Sequence, residues 1–547
     1  MFVRRILPAI GVVLGVCAAL APLGARAATV VGDNARTLTV SVPGPFNGCS
    51  VLDRGATATT GAVLDLIRPS AFQTSPTGTL VGEGGAIASA ELTSLSPETV
   101  VYTIAAHQLW SNGLTFNGSD LVSWWQRARS LPSVTSDGYR DIQSLSVGSD
   151  GLTVTAVFAT AYADWNLLFR DVEARGTTPG CGLANLVRRP SLGPYRVVSA
   201  SANRVVLVMN PRWRQNASRF GHVILVTSGS VPAGSSTLFA NYSLVVSRPV
   251  LETLSARPSV ASRLGSSSNI EVISFAPSRP LTRSINMRKA LSWSINRQSL
   301  INRLWGSITF SPSVAASILF SQGQSAYPGA QGGVPTTSTT ITSTTSPESN
   351  GLADCLTCAY AELNDLGFHR SGHHWLNATR KRLTLRVITG PSEIDRTTTA
   401  AVVKQWAAAG ISATVVHDAS DVSAAEASAT NYADVAIFAK PTVTTPSVAA
   451  RSWSGPAFAD SYLSGFRSAP VTTLFDNAIS NFNSAAATTT WLQMDQAVLR
   501  NFWVRPLYTA PSIVEWSNLL EGVTPSLSIP GFLDEVAGWN TAPPATT

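Results

Sequence analysis

Four residues in the stretch DCLTCAYAELNDLGFHRSGHHW could do chemistry: Cys355 and Cys358, then His369 and His373, in the order Cys-x2-Cys and His-x3-His. That pattern echoes a tetrahedral zinc site. Only ten residues separate Cys358 from His369, short of the dozen or so a finger uses. Gly367 suits the C-cap of a helix, which puts the histidines in the next loop. The preferred reading is a disulfide at the helix start with solvent histidines beyond it, and no metal. None of the hydrolase patterns G-x-S-x-G, S-x-x-K or H-E-x-x-H occurs. The six histidines have no carboxylate or serine partner in sequence, so neither catalysis nor a cofactor is expected.

The elements that would carry a site lie in a chain of 547 residues, 44% hydrophobic and 13% charged. That length implies two or three domains and that composition a globular chain. MFVRR, the apolar run Ile6–Leu20 and Ala25-Arg26-Ala27 read as an export signal over residues 1–27. An uncleaved segment holding the chain to the membrane is the alternative. Lipidation at Cys17 is a third option, weakened by Val16 where a lipobox has a small residue. Without Arg4, Arg5 and Arg26, 36 basic residues face 32 acidic ones, too small an excess to suggest nucleic acid. Cleavage leaves Cys49, Cys181, Cys355 and Cys358, and export favours disulfides with three possible connectivities. Closeness in sequence argues for Cys355 with Cys358, leaving Cys49 with Cys181.

Local patterns predict the frame. Leu38–Val42 alternates as a strand ended by Pro43-Gly44-Pro45, and Val100–Ile104 reads as another. Ser111-Asn112-Gly113 is a tight turn, Ser119 or Asp120 the cap of a helix, and Asp150-Gly151 a hairpin signal. INMRKALSWSINRQSLINRLWG, Ile285–Gly306, spaces its apolar residues as two amphipathic helices, the second capped by Asn296. RLTLRVITG, then AAVVKQWAAAG and ISATVV, reads as strand, helix and parallel strand. Gly323–Asn350 is rich in Gly, Pro, Ser and Thr and cannot supply a core.

The Ile285–Gly306 wording resembles the V-R-Q-A-L-x-x-A-I-D-R-x-x-I segment of the family 5 extracellular solute-binding proteins, the oligopeptide and dipeptide receptors of ABC importers. Trp110–Gly113 is similar to that family's W-S-D-G, Gly193-Pro194-Tyr195 to its G-P-Y turn, and Pro506-Leu507-Tyr508 to its P-L-Y. The resemblance implies an α/β, two-lobe periplasmic-binding-protein-like fold, with mixed sheets flanked by helices and a hinge between the lobes. The expected organisation is lobe I over 28–275 with a subdomain inserted at about 56–190, lobe II over 276–505, and a C-terminal return to lobe I over 506–547. It also implies a ligand cleft to which Phe46, Asn47, Phe275, Lys440 and Trp453 are candidate contributors.

The function so implied is capture of a peptide-like or other small solute outside the membrane and delivery to an ABC permease, by a monomer. Ala439–Ser447 carries Lys440, Thr and Pro where peptide receptors place acids. This speaks against recognition of a free amino terminus there. An envelope regulator or scaffold reusing the fold without transport is the alternative.

Overall fold

The computed structural model describes residues 36–53, 55, 57–75, 80–131, 138–214, 220–227, 238–306, 308, 312–322, 324–328, 352–416, 433–441, 445–454, 468–523, 536 and 539–541. The export signal, Cys17 and almost all of the low-complexity stretch lie outside them. Ten strands form one sheet in the order Ser412–Val416, Thr384–Thr389, Val435–Pro441, Val260–Phe275, Val504–Ser517, Leu238–Asn241, Thr37–Val42, His222–Thr227, Arg204–Met209 and Tyr195–Ser201. Both flanks contain parallel pairs: Thr37–Val42 beside His222–Thr227, and Thr384–Thr389 beside Ser412–Val416 and Val435–Pro441.

The two long central strands join the flanks. Val260–Ser266 pairs with Pro511–Ser517, whereas Ile270–Ser274 pairs with Val504–Thr509, with an irregularity between Glu271 and Val272, and Ile270–Phe275 pairs with Val435–Lys440 on the other side. Between Ser266 and Ile270 the register breaks, and residues 267–269 stand opposite Ala510 on that strand, while Asn269 still pairs with Pro441 on the other side. A bulge of this kind leaves peptide groups outside the ladder and bends the sheet locally. Ser267 ties the break by donating its hydroxyl to the Ala510 carbonyl at 2.9 Å.

Between the first and second main-sheet strands in sequence, residues 87–158 build a separate four-stranded antiparallel sheet. Its helix Gly118–Ser130 is capped by Asn117, whose side chain accepts from the Ser119 N–H while Asp120 returns a bond to the Asn117 N–H. The expected cap at Ser119 or Asp120 is therefore corrected to Asn117: Asp120 is the N3 half of a capping box. Trp110 is fully buried against Phe116. Arg127 from this helix pairs with Asp53 at 2.8 Å and with Glu173, which Arg189 meets at 2.7 Å. The inserted sheet is thus tied to the main body through charge pairs taken out of water, which hold only while each partner is present.

Cys49 is bonded to Cys181 and Cys355 to Cys358. The helix Leu356–Asp365 ends at Gly367, with φ of +79°, a left-handed value that favours glycine. The Phe368 N–H returns to the Leu363 carbonyl and His369 and His373 are exposed.

Candidate functional site

The two motif helices position the site. Ser284 caps Ile285–Trp293 and Asn296 caps Arg297–Trp305, each accepting a first-turn N–H. Arg288 is buried and donates to the carbonyls of Thr282, Asn501 and Phe502, fixing the entry to the strand Val504–Ser517. Arg297 binds Asp354 through its Nε at 3.0 Å and donates Nη1 to the Ala315 carbonyl at 3.0 Å. Burial lowers the pKa of Arg297, with Asp354 opposing the shift. The arginines of the motif therefore serve as backbone clamps.

What Arg297 clamps is a segment laid along the central strand. The Thr509 N–H donates to Ser313, Ala315 donates to Leu507, and Ser266 Oγ meets Gln322 Oε1 at 3.0 Å beside the register break. Further on, the N–H groups of Ile318 and Leu319 both donate to Asp495 Oδ1, at 2.9 and 3.2 Å. Asp495 projects from the helix Ser484–Arg500. Burial pushes its carboxyl up to about 7, against the opposing effects of these N–H groups, Ser317 and Lys440.

Directly opposed residues in a sheet share a face. Ile270 pairs with both Lys440 and Thr509, so these three form a row across the central strands next to the break. The Lys440 ammonium lies 4.7 Å from the centre of the Trp453 ring, and Trp453 stacks on Trp503 at 6.3 Å. Such a cation over a desolvated indole is worth about 2 kcal/mol. Trp453 Nε1 and Thr509 Oγ1 are buried with no hydrogen-bond partner among the described residues. A buried donor and a buried hydroxyl left this way cost free energy that a bound partner would recover.

The inserted sheet approaches this same face through the loop after Phe158. The Ala163 N–H donates to the Ile479 carbonyl at 2.7 Å. Asp164 faces Ser447, in the segment that carries Trp453; burial raises its carboxyl and the Ser447 hydroxyl counters that. Trp165 packs edge-on to Phe72 at 5.5 Å.

Of the five residues singled out from the sequence, the structure brings together Lys440 and Trp453. Phe275 sits on the opposite face, fully buried with Ile273, Met287 and Leu291. Phe46 is buried in the core around Leu38, Val40 and Val63. Asn47 closes its own turn, accepting from Thr60 Oγ1 at 2.9 Å and donating to Gly55. These three lie away from the Lys440 and Trp453 pair. Sequence reasoning missed Thr509, Asp495 and Trp503. Pro506-Leu507-Tyr508 pointed to the strand but not to its polar residue.

A sheet shared by two halves and crossed by two bulged strands is a two-lobe architecture. Residues 85–467 match the family described as bacterial extracellular solute-binding proteins, family 5 Middle, and the chain belongs to that family. Among curated relatives, the oligopeptide-binding protein OppA of Mycobacterium tuberculosis and of Mycobacterium bovis is 27% identical over 226 residues, 37% of this chain and 36% of the relative. The probable monoacyl phosphatidylinositol tetramannoside-binding protein LpqW of Mycobacterium tuberculosis is 27% identical over 186 residues, 31% of this chain and 29% of the relative. The chain thus spans only about a third of the length of the curated relatives it matches. Among solved structures, the periplasmic EDTA-binding protein EppA superposes with a TM-score of 0.78 at 20% identity, covering 93% of this chain and 97% of that one. The oligopeptide-binding protein AppA of Bacillus subtilis, in complex with a nonapeptide, gives 0.73 at 13% identity, covering 93% and 100%. These likenesses establish the two-lobe fold.

Proposed function

We propose that this chain is the extracytoplasmic receptor of an ABC importer, a monomer exported through its N-terminal segment, which captures a small solute between its lobes and presents it to a permease. In this reading the lobes meet along the register irregularities of the central pair, at residues 267–269 opposite Ala510 and between Glu271 and Val272, close to the crossings near Phe275 and Pro506 that the family resemblance implies. The observation that carries this reading is the row Lys440, Ile270 and Thr509 beside the register break. A hinge is useful to a receptor only if binding groups lie next to it and differ in reach between open and closed forms. No chemical step is involved.

The site favours a neutral or anionic solute with an apolar or sugar face. Lys440 supplies the positive charge, Trp453 and Trp503 the rings, and Thr509 with the Trp453 N–H the hydrogen bonds. Ala439–Ser447 contains no acid, so a peptide ammonium finds no counter-charge there and loses hydration it cannot replace. Native mass spectrometry of the exported protein tests solute capture directly; a bound small molecule released on denaturation is expected. Calorimetry with short peptides and their N-acetylated forms tests the charge preference. Tight binding abolished by acetylation would overturn it and move the receiving acid to Asp164, across from Ser447.

A further inference from the structure

The charge of this chain is unevenly placed. Of the 36 basic and 32 acidic residues left once the export segment is set aside, the stretch from His369 to Arg386 holds five basic ones and no acidic one. The remainder therefore carries 31 basic against 32 acidic residues, and the excess positive charge of the mature chain resides in these eighteen positions. They fold as a small sheet: His369–Ser371 pairs with His374–Leu376, and Leu376 bridges Arg382. Trp375 holds it rigidly, buried and donating Nε1 to the Ala409 carbonyl at 2.9 Å. Gly410 lets the sheet approach, since a Cβ there would lie 3.0 Å from the His373 carbonyl.

The cations themselves are uncommitted. Arg370, Arg380, Lys381, Arg382 and Arg386 are all exposed, and none of them is in an ion pair among the described residues. Arg370 alone has a charge contact, over the Tyr360 ring at 5.0 Å. Arg380 adds an independent observation. It ends a three-residue hairpin loop in which Asn377 and Lys381 pair and the Arg380 N–H donates to Asn377. Its φ is +60°, the position where such loops ordinarily place glycine. An arginine held in the left-handed region against that preference points to use of its side chain.

The stretch is also well separated from the hinge. Lys440 pairs with Ile270 beside the break, Val435 pairs with Phe275 five residues further, and Asp434 accepts the Arg386 N–H at 2.8 Å. At strand spacing this puts Arg386 roughly 15–20 Å from the hinge row.

We propose that this basic hairpin at the far end of lobe II is a docking surface for anionic membrane lipid. The five cations are exposed along a two-stranded sheet and the bridge that extends it, and so many like charges within eighteen residues, with no acid among them, match the charge of a plane of phosphate headgroups. Attraction of clustered Lys and Arg to anionic lipid is of long range and salt-sensitive. The surface would hold the receptor near the membrane in which its permease lies; the lipid claim itself does not depend on transport.

Partition of the full exported chain onto vesicles of equal parts phosphatidylglycerol and phosphatidylcholine, against pure phosphatidylcholine, tests this. An uncleaved apolar segment would bind both, so the ratio is read. The expected result is at least a tenfold preference for the anionic vesicles in low salt, lost in the Arg380→Glu, Lys381→Glu, Arg382→Glu triple variant and on adding sodium chloride. Arg380→Gly keeps the test open if the triple variant misfolds: it should weaken anionic partition severalfold while leaving Tm unchanged or raised. Equal partition onto both vesicles, or a preference that survives the substitutions, would overturn the proposal. So would an acidic protein surface that binds the hairpin while anionic vesicles do not.

Discussion

Lys440 and Arg380 to Arg382 are cations at opposite ends of the parallel strands Val435–Pro441 and Thr384–Thr389, and their surroundings could hardly differ more. Lys440 is buried, in the electrostatic range of Asp495 and over the Trp453 ring. The hairpin cations are exposed and outside any ion pair among the described residues. Charge in a low-dielectric interior must be compensated by fixed groups, so it is specific, sensitive to pH and coupled to packing. Charge at the surface is compensated by water and salt, so it is general, sensitive to ionic strength and nearly silent in stability. The same residue type thus suits a small-solute site at one end and a headgroup surface at the other.

The strongest way to break this contrast is at the indole. Trp453→Ala empties the space between Lys440 and Trp503 and should cost about 3–5 kcal/mol of stability, read from urea unfolding. It should also abolish any solute binding seen by calorimetry. A loss below about 1 kcal/mol would show that Trp453 is not part of a packed site.

The next effect is one of pH. Asp495 has a folded-state value of about 7, above the unfolded value near 3.9. The stabilisation from its protonated form is therefore fully present below about pH 4 and is lost as pH rises through about 7. The size is roughly 3–4 kcal/mol. Glu98, also raised to about 7 by burial, contributes in the same direction. The test is consequently the difference between the native chain and Asp495→Asn, whose amide oxygen can still accept from Ile318 and Leu319. The variant should lose a measurable part of the decline between pH 5 and pH 8 in urea midpoints, the rest belonging to Glu98 and to Asp171, Glu271, Asp164 and Asp141, which burial also raises. Lys440→Met should move the Asp495 part of the decline to higher pH, because the ammonium favours the carboxylate. An unchanged profile in Asp495→Asn would show that this carboxylate does not set the pH dependence.

Much of the frame was legible because its signals are local. Asn296 as a cap, Gly367 at a helix end, the Asp150-Gly151 hairpin and the strand, helix, strand unit around Glu393–Ala408 each depend on a few neighbouring residues. The site was legible only where one segment carried it. Phe275 shows why: along Val260–Phe275 the side chains at 270 and 272 face the row, while 273 and 275 face the motif helices. A shift of one residue exchanges the two faces, and nothing in the strand's composition states which is which. Asp495 and Thr509 meet the site through bonds to residues 313–319, nearly two hundred positions away in sequence. Phe46 and Asn47 carried no local sign that their turn closes on itself.

A smaller effect concerns Cys355 and Cys358. Their disulfide closes a loop of so few residues that it removes little entropy from the unfolded chain. Cys355→Ser with Cys358→Ser should therefore leave the protein folded, with the urea midpoint lowered only slightly. The native chain purified without chelator should contain no stoichiometric zinc by elemental analysis. Finding zinc would return the two cysteines to a metal site and add a third kind of charged centre to the comparison.

The smallest expected effect lies at the hairpin. Arg382 bridges Leu376 through its backbone, and its exposed guanidinium is in no ion pair among the described residues. Folding therefore changes its electrostatic surroundings little, and Arg382→Gln, which keeps a long polar side chain, should alter stability by less than about 0.5 kcal/mol. Sodium chloride should not separate the urea midpoints of the two proteins, since no attractive pair is there to be screened. The same substitution should lower partition onto anionic vesicles, because that depends on the sum of cations and not on any one contact. Equilibrium unfolding at low and high salt, beside the vesicle measurement, separates the outcomes. If Arg382→Gln cost more than about 1 kcal/mol at low salt and nothing at high salt, the guanidinium would have a carboxylate partner within the fold. The hairpin would then be a structural ion-pair element, and the division between buried and surface charge in lobe II would no longer hold.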